Sequence, residues 1–300
     1  MASKLEKDES GTHGARRITR HRIKSALKTL ERKTTTDRSV HAARKELKKA
    51  RASLRLLRDA LGDSTYKKEN AALRDAARPL SEVRDGRVLL DALNSVVKHW
   101  GAPASALPLK KFQTVLDHRR VQLRDKALKP PAPLKETRET LRDVRRRSAQ
   151  WQVGSHGWSV LGAGLKRTYS KGRHTFARVQ VQRSNELLHE WRKQAKYLWH
   201  QLQIFEPLWP RPVGELSETA HKLADLLGDD HDLFVLCDRV TRSRELFPST
   251  ASHRTLVILI ERYRAQLQEK ALSLGKGLYK EKPGEFADRL GKHWHDWRRH

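Results

Sequence analysis

Val40-His41-Ala42-Ala43-Arg44-Lys45-Glu46-Leu47-Lys48 and Leu188-His189-Glu190-Trp191-Arg192-Lys193-Gln194-Ala195-Lys196 are two versions of one pattern, His-x-x-Arg-Lys-x-x-Lys. Around the first, Val40, Ala43, Leu47, Ala50, Leu54 and Leu57 recur at alternating spacings of three and four, which places them on one buried face of a helix. Adding 148 to each number gives Leu188, Trp191, Ala195, Leu198, Leu202 and Phe205, all apolar. By the same offset His41, Arg44, Lys45 and Lys48 become His189, Arg192, Lys193 and Lys196.

A second block follows each copy. Leu80-Ser81-Glu82-Val83-Arg84-Asp85 returns, at an offset of 147, as Leu227-Gly228-Asp229-Asp230-His231-Asp232. Two seams and two blocks in register read as a duplicated helical unit, its copies facing each other about a pseudo-twofold axis. The repeat predicts an all-α protein with a first helical half at about 15–150 and a second at about 151–300. Punctuation at 62–64, 101–108, 129–133, 154–157 and 207–214 leaves stretches of bundle-helix length between short connections. Met1 to Gly14 is polar and mixed in charge and reads as a flexible tail.

The chain carries 63 Lys and Arg against 35 Asp and Glu, a net charge of +28. Charge of one sign at that density repels itself in a compact state, so a polyanionic partner is expected. Nucleic acid, polyphosphate and an anionic membrane surface are the classes to weigh. Cys237 stands alone, so an intrachain disulfide is excluded and a reducing compartment fits. Nothing at the N-terminus resembles a signal peptide, and no run approaches the roughly 18 apolar residues of a membrane span. A cytoplasmic protein is expected.

Positions i, i+3, i+4 and i+7 share a helix face, so His, Arg, Lys and Lys form a cationic stripe in each copy. Most of its members follow a seam residue directly, which sets the stripe along the border of the core. Arg51, Arg55 and Arg58 extend the first copy, and from His41 to Arg55 the helix covers roughly 21 Å at 1.5 Å per residue. A stripe of that length suits an extended polyanion. Arg can grip two oxygens with its planar fork, Lys adds a mobile point charge, and His gains charge beside anions. Asp85 and Asp232 read as inner partners that hold the basic side chains in place.

Enzymatic signatures are missing. There is no Gly-x-x-x-x-Gly-Lys-Ser/Thr loop, and His189-Glu190 lacks the second histidine of a zincin, because position 193 is Lys. His293, His295 and His300 read as a polar helix end, and Asp229, Asp230 and Asp232 as structural acids. No catalytic residue, metal or cofactor is expected. A nucleic-acid binder shares the same electrostatics and stays open as the alternative. Single-strand binders expose aromatic rings for base stacking; Trp191 sits in a seam, whereas Trp199, Trp209, Trp294 and Trp297 could face solvent. The apolar seams are narrow, as in helices that pack on one another, so a membrane partner is not expected.

The duplicated motif with its downstream Leu-Gly-x-x-His-Asp block resembles the CHAD family (conserved-histidine α-helical domain) from about Arg16 to Arg299. The resemblance implies two four-helix bundles related by pseudo-twofold symmetry, with a basic central groove that binds long-chain inorganic polyphosphate. It also implies association with polyphosphate granules and with enzymes of polyphosphate metabolism. The polyphosphate site is then expected at His41, Arg44, Lys45, Lys48, Arg51 and Arg55, with Arg84 from the first block. From the second copy it takes His189, Arg192, Lys193 and Lys196, with His231. Tyr169, Lys171, Gly172 and Arg173 resemble the family's basic segment before the second motif helix, which adds Tyr169, Arg173 and Arg178. Two departures stand out. The Glu-x-Glu-x-Lys signature of a triphosphate-cleaving domain found on many relatives is absent, and Trp199 and Gln203 replace Arg51 and Arg55 in the second copy. The first half is therefore expected to supply more of the charge.

Overall fold

Both motif helices start at equivalent caps. The Thr36 hydroxyl accepts the backbone N–H of Ser39 at 3.2 Å and the Ser39 hydroxyl accepts that of Thr36 at 2.8 Å, a reciprocal box that satisfies two otherwise unpaired donors. At the position 148 residues later, Ser184 accepts the N–H of Leu187 at 3.3 Å. The computed structural model that shows this describes residues 3–31, 36–128 and 131–299, with side chains except those of 82–85, 127–128 and 131–133. The described residues form helices and no strand.

The first half contains α1 (Gly11–Leu30), α2 (Asp37–Leu56), α3 (Arg58–Ala76), α4 (Pro79–Trp100), the single turn α5 (Ala102–Ser105), α6 (Lys110–Leu128) and α7 (Pro131–Ala149). The second contains α8 (Trp158–Val181), α9 (Asn185–Phe205), α10 (Pro210–Thr241), α11 (Thr250–Leu278) and α12 (Pro283–Arg299). The order repeats: α1 packs on α2 and α7 as α8 packs on α9 and α12, and α4 packs on α6 as α10 packs on α11. The copies differ where the chain breaks. Gly62 takes φ 73° and bends α3, and the path is interrupted again before Pro79. The matching stretch of the second half runs as one 32-residue helix, α10, through Gly214.

All the seam residues are buried, from Val40 to Leu57 and from Leu188 to Phe205, each large side chain contributing about 1.5–3 kcal/mol. The core does not divide at the midpoint of the chain. The larger cluster joins α1, α2, α3, α7, α8, α9, α12 and the first part of α10. The smaller joins α4, α5 and α6 to the second part of α10 and the first two-thirds of α11, and Trp100 Nε1 seals it by donating to the Leu259 carbonyl at 3.0 Å. Each cluster thus draws on both copies. Direct packing of α2 on α9 and of α4 on α10 carries the halves together. Close approach of α8 to the end of α2 requires Gly164, where a Cβ would lie 2.7 Å from the Leu56 Cα.

The N-terminal segment corrects the expectation of a free tail. Leu5 is buried and its N–H reaches the Ile204 carbonyl at 3.4 Å. Arg17 grips Glu9 at 2.5 and 2.8 Å and the Lys4 carbonyl at 2.8 Å, and α1 already begins at Gly11.

Candidate functional site

Where α2 and α9 meet α4, α6 and α10, three adjoining clefts of about 590, 540 and 240 Å³ open between the two cores. Arg44 lines all three. The middle cleft collects Arg44 and Lys48 from α2, His189, Arg192, Lys193 and Lys196 from α9, His231 from α10 and Arg119 from α6, with Asp232 as its one acid among the described residues. The smallest cleft holds His41, Arg44, Lys45, Lys48 and Lys196 with Asp225. These two share Arg44, Lys48 and Lys196, so they form one basic groove. The largest differs: Asp37, Asp91, Asp229 and Asp232 balance Arg38, His41, Arg44 and Arg87 along its walls. The groove therefore has a cationic run and a charge-balanced end.

Local packing aims these side chains. Arg44 donates to the Ser81 hydroxyl and, at 3.4 Å, to the Ala77 carbonyl, which ties it across to the start of α4. At the equivalent place in the second copy, Arg192 lies over Gly228, with guanidinium atoms 3.5 Å from where a Cβ would be. Glu190 pairs with Lys193. The rings of His189 and His231 lie 4.7 Å apart, and burial first, then Lys193 and Arg192, hold His189 below the usual imidazole range. An entering anion reverses the electrostatic part of that shift.

The acids at the block divide, since Asp229 and Asp232 line the clefts and Asp230 turns into the core. Asp230 is buried and accepts from Arg264 at 3.1 Å and Gln268 at 2.9 Å. Burial, with Asp232 and Asp225 nearby, pushes Asp229 above its ordinary value.

A family model for the CHAD domain matches residues 17–241, three quarters of the chain. The chain belongs to the CHAD domain family. Its structure is similar to the crystal structure of the CHAD domain from the plant Ricinus communis, with a TM-score of 0.60 and 14% identity over 98% of this chain and 95% of that one. At that identity the likeness concerns the fold. No curated protein matches.

Within this CHAD domain the expected site residues separate into three groups. His41, Arg44, Lys45, Lys48, His189, Arg192, Lys193, Lys196 and His231 converge on the basic groove. Arg84 and Asp85 lie outside the described side chains. The rest are placed elsewhere. Arg51 donates to Asn70 at 3.0 Å, and Arg55 donates to the Tyr66 hydroxyl at 2.9 Å and sits 3.9 Å over the Tyr197 ring. Burial alone would raise the Tyr197 phenol, yet Arg55 and Arg51 bring it below its ordinary value. Tyr169 is a core residue: fully buried, stacked on Phe286 at 4.0 Å, with its hydroxyl on the Leu278 and Glu281 carbonyls at 3.1 and 3.3 Å and its pKa raised to about 12 chiefly by burial. A side chain enclosed in this way does not meet a polyanion. Arg173 donates to the Tyr279 carbonyl at 3.2 Å, and neither it nor Arg178 lines the groove.

Both halves supply the charge. In the middle cleft the first half gives Arg44, Lys48 and Arg119, and the second gives Arg192, Lys193 and Lys196 with His189 and His231. Sequence reasoning missed Arg119, since the residue 148 positions on is Leu267, buried in the smaller core. No repeat signal marks it.

Every Trp is buried or half-buried, including Trp199, which stacks on His221 at 3.8 Å, and Trp209, which stacks on His293 at 3.8 Å. His293 is thus a packing residue, and His300 lies outside the described residues. Among the described residues no group of three or more His, Cys, Asp or Glu could hold a metal ion, and no helix is long and apolar enough to cross a membrane.

Proposed function

We propose that this CHAD domain binds long-chain inorganic polyphosphate along the basic run between α2 and α9, and binds it without cleaving it. The observation that carries this reading is the convergence of both motif copies on one groove, where Arg44 and Lys48 face Arg192, Lys193 and Lys196. A linear polyanion with a charge on every unit meets cations on both walls, and release of its counterions drives association. The charge-balanced end at Asp37, Asp91 and Asp229 sets the limit of the run, so the chain follows the path from the His189–His231 pair past Lys196 toward Lys45. The one Trp that lines the groove among the described residues, Trp199, is already stacked on His221, which favours phosphate over bases because a nucleic-acid groove gains from rings free to stack. Such binding recruits the protein to polyphosphate deposits in the cytoplasm, beside enzymes that make or consume the polymer.

Displacement of labelled long-chain polyphosphate at near-physiological salt tests the reading. Long polyphosphate should compete at least tenfold better per phosphate than single-stranded DNA, RNA or heparin. Equal competition by nucleic acid would make the groove a general polyanion surface, and release of orthophosphate during the assay would make it an enzyme.

A further inference from the structure

Arg55 leaves the groove but does not leave anion chemistry. It lines a separate cleft of about 690 Å³ between the end of α2, the start of α3 and α8, together with Arg58, Lys166, Arg167, Lys171 and His174. Among the described residues, none that lines this cleft is acidic. Two carboxylates reach its margin: Asp63 takes the Arg58 fork at 2.7 and 3.0 Å, and Asp59 takes Arg167 at 2.7 Å. Five Lys and Arg against two carboxylates leave three positive charges uncompensated before His174 is considered. Arg55 Nε and Arg167 Nη2 are buried with no hydrogen-bond partner among the described residues, a costly state for charged donors.

The arrangement is built by helix geometry. Arg167, Lys171, His174 and Arg178 recur on α8 at spacings of four, three and four, so α8 carries its own basic stripe. Gly164 brings that helix into backbone contact with Leu56, which sets the stripe against the end of α2. Lys166, Lys171 and His174 remain exposed, so the cleft is open to solvent.

We infer that this cleft is a second phosphate-binding site, which takes a short run of linked phosphates. A triphosphate-sized anion supplies the lone pairs that Arg55 and Arg167 reach with small rotations of their guanidinium forks, and Lys166 and Lys171 close over it as mobile charges. The short run could be a free oligophosphate or one segment of a long chain whose remainder lies in the groove. The inference is independent of the groove's ligand, because it rests on different residues.

Isothermal titration of the intact protein with tripolyphosphate tests it. Lys166→Gln with Lys171→Gln changes only exposed side chains, and Arg167→Gln probes the wall; circular dichroism melts check that each variant folds. The number of tripolyphosphates bound should fall by one in the double variant, and the Kd of the lost site should weaken at least tenfold in Arg167→Gln. An unchanged stoichiometry in the folded double variant overturns the site, whatever happens at the groove. A second arm with long-chain polyphosphate separates the two sources. If its affinity also drops about tenfold, one chain spans both sites; if it holds while tripolyphosphate binding is lost, the cleft serves a separate oligophosphate.

Discussion

Arg44 and Arg192 hold the same place in the two copies, and the helices beneath them differ. Beneath Arg44 the start of α4 offers the Ser81 hydroxyl; beneath Arg192 the middle of α10 offers Gly228, whose Cβ position would lie 3.5 Å from the guanidinium. The two guanidinium groups meet different surfaces, a hydroxyl in the first copy and a glycine in the second. The same contrast runs down the motif helices. Arg51 and Arg55 look like an extension of the stripe in sequence, but contacts with Asn70, Tyr66 and Tyr197 turn them away from the groove. Duplication specifies the frame, and the covering elements decide which charges stay available.

The comparison can be broken most directly by charge. Arg192→Glu, Lys193→Glu and Lys196→Glu together should weaken polyphosphate binding by roughly a thousandfold or more, since three phosphate contacts become repulsions. Reversal of Arg44, Lys45 and Lys48 should also abolish tight binding, with the smaller loss of the two because Lys45 lines only the smallest cleft. A larger loss from the first copy, in titrations of folded protein, would reverse the assignment. The slope of affinity against salt should flatten in both, while a salt-independent affinity in the unmodified protein would rule out a charge-driven groove.

A second contrast lies in the core. Ala43 and Trp191 are equivalent, and both are fully buried. Trp191→Ala should cost about 3–5 kcal/mol by leaving a cavity, read as a lowered denaturation midpoint; a loss below 1 kcal/mol would mean the surrounding helices collapse into the space.

Ala52 and His200 form a third pair. His200 is 5% exposed and burial holds its pKa down to about 3. The unfolded chain therefore takes up a proton below pH about 6.5 that the folded chain refuses, and stability falls by on the order of 1.4 kcal/mol per pH unit from there toward pH 3. His200→Leu should flatten that acid limb in denaturant titrations at several pH values. An identical pH profile would show that His200 is protonated within the fold.

The smallest effect belongs to the pair that opens the comparison. Ser81→Ala removes one of the hydrogen bonds that hold Arg44, the one to the Ala77 carbonyl staying in place, and should shift affinity only about two- to fivefold, the worth of one hydrogen bond. A change beyond tenfold would mean that the Ser81 bond, and not the charge, positions the first wall.

The seams, the caps at Thr36 and Ser184 and the two motif stripes are all local, helix-period features, so the sequence alone determined an all-helical duplicated chain and nine of the residues that converge in the groove. The acid that the structure shows held inside the fold is Asp230, whose repeat partner is the apolar Val83. Tertiary packing decided the rest. Arg119 enters the groove only because α6 lies across from α9, and Tyr169 leaves the site because Phe286 covers it. Leu5 ties down a polar segment that composition describes as a tail. Whether a cation is free, tethered or buried depends on which distant helix lies over it, and periodicity along one helix carries no information about that neighbour. The mixed cores, shared between the halves instead of divided at the repeat, arise for the same reason: each amphipathic helix specifies a buried face, and only the whole fold specifies its partner.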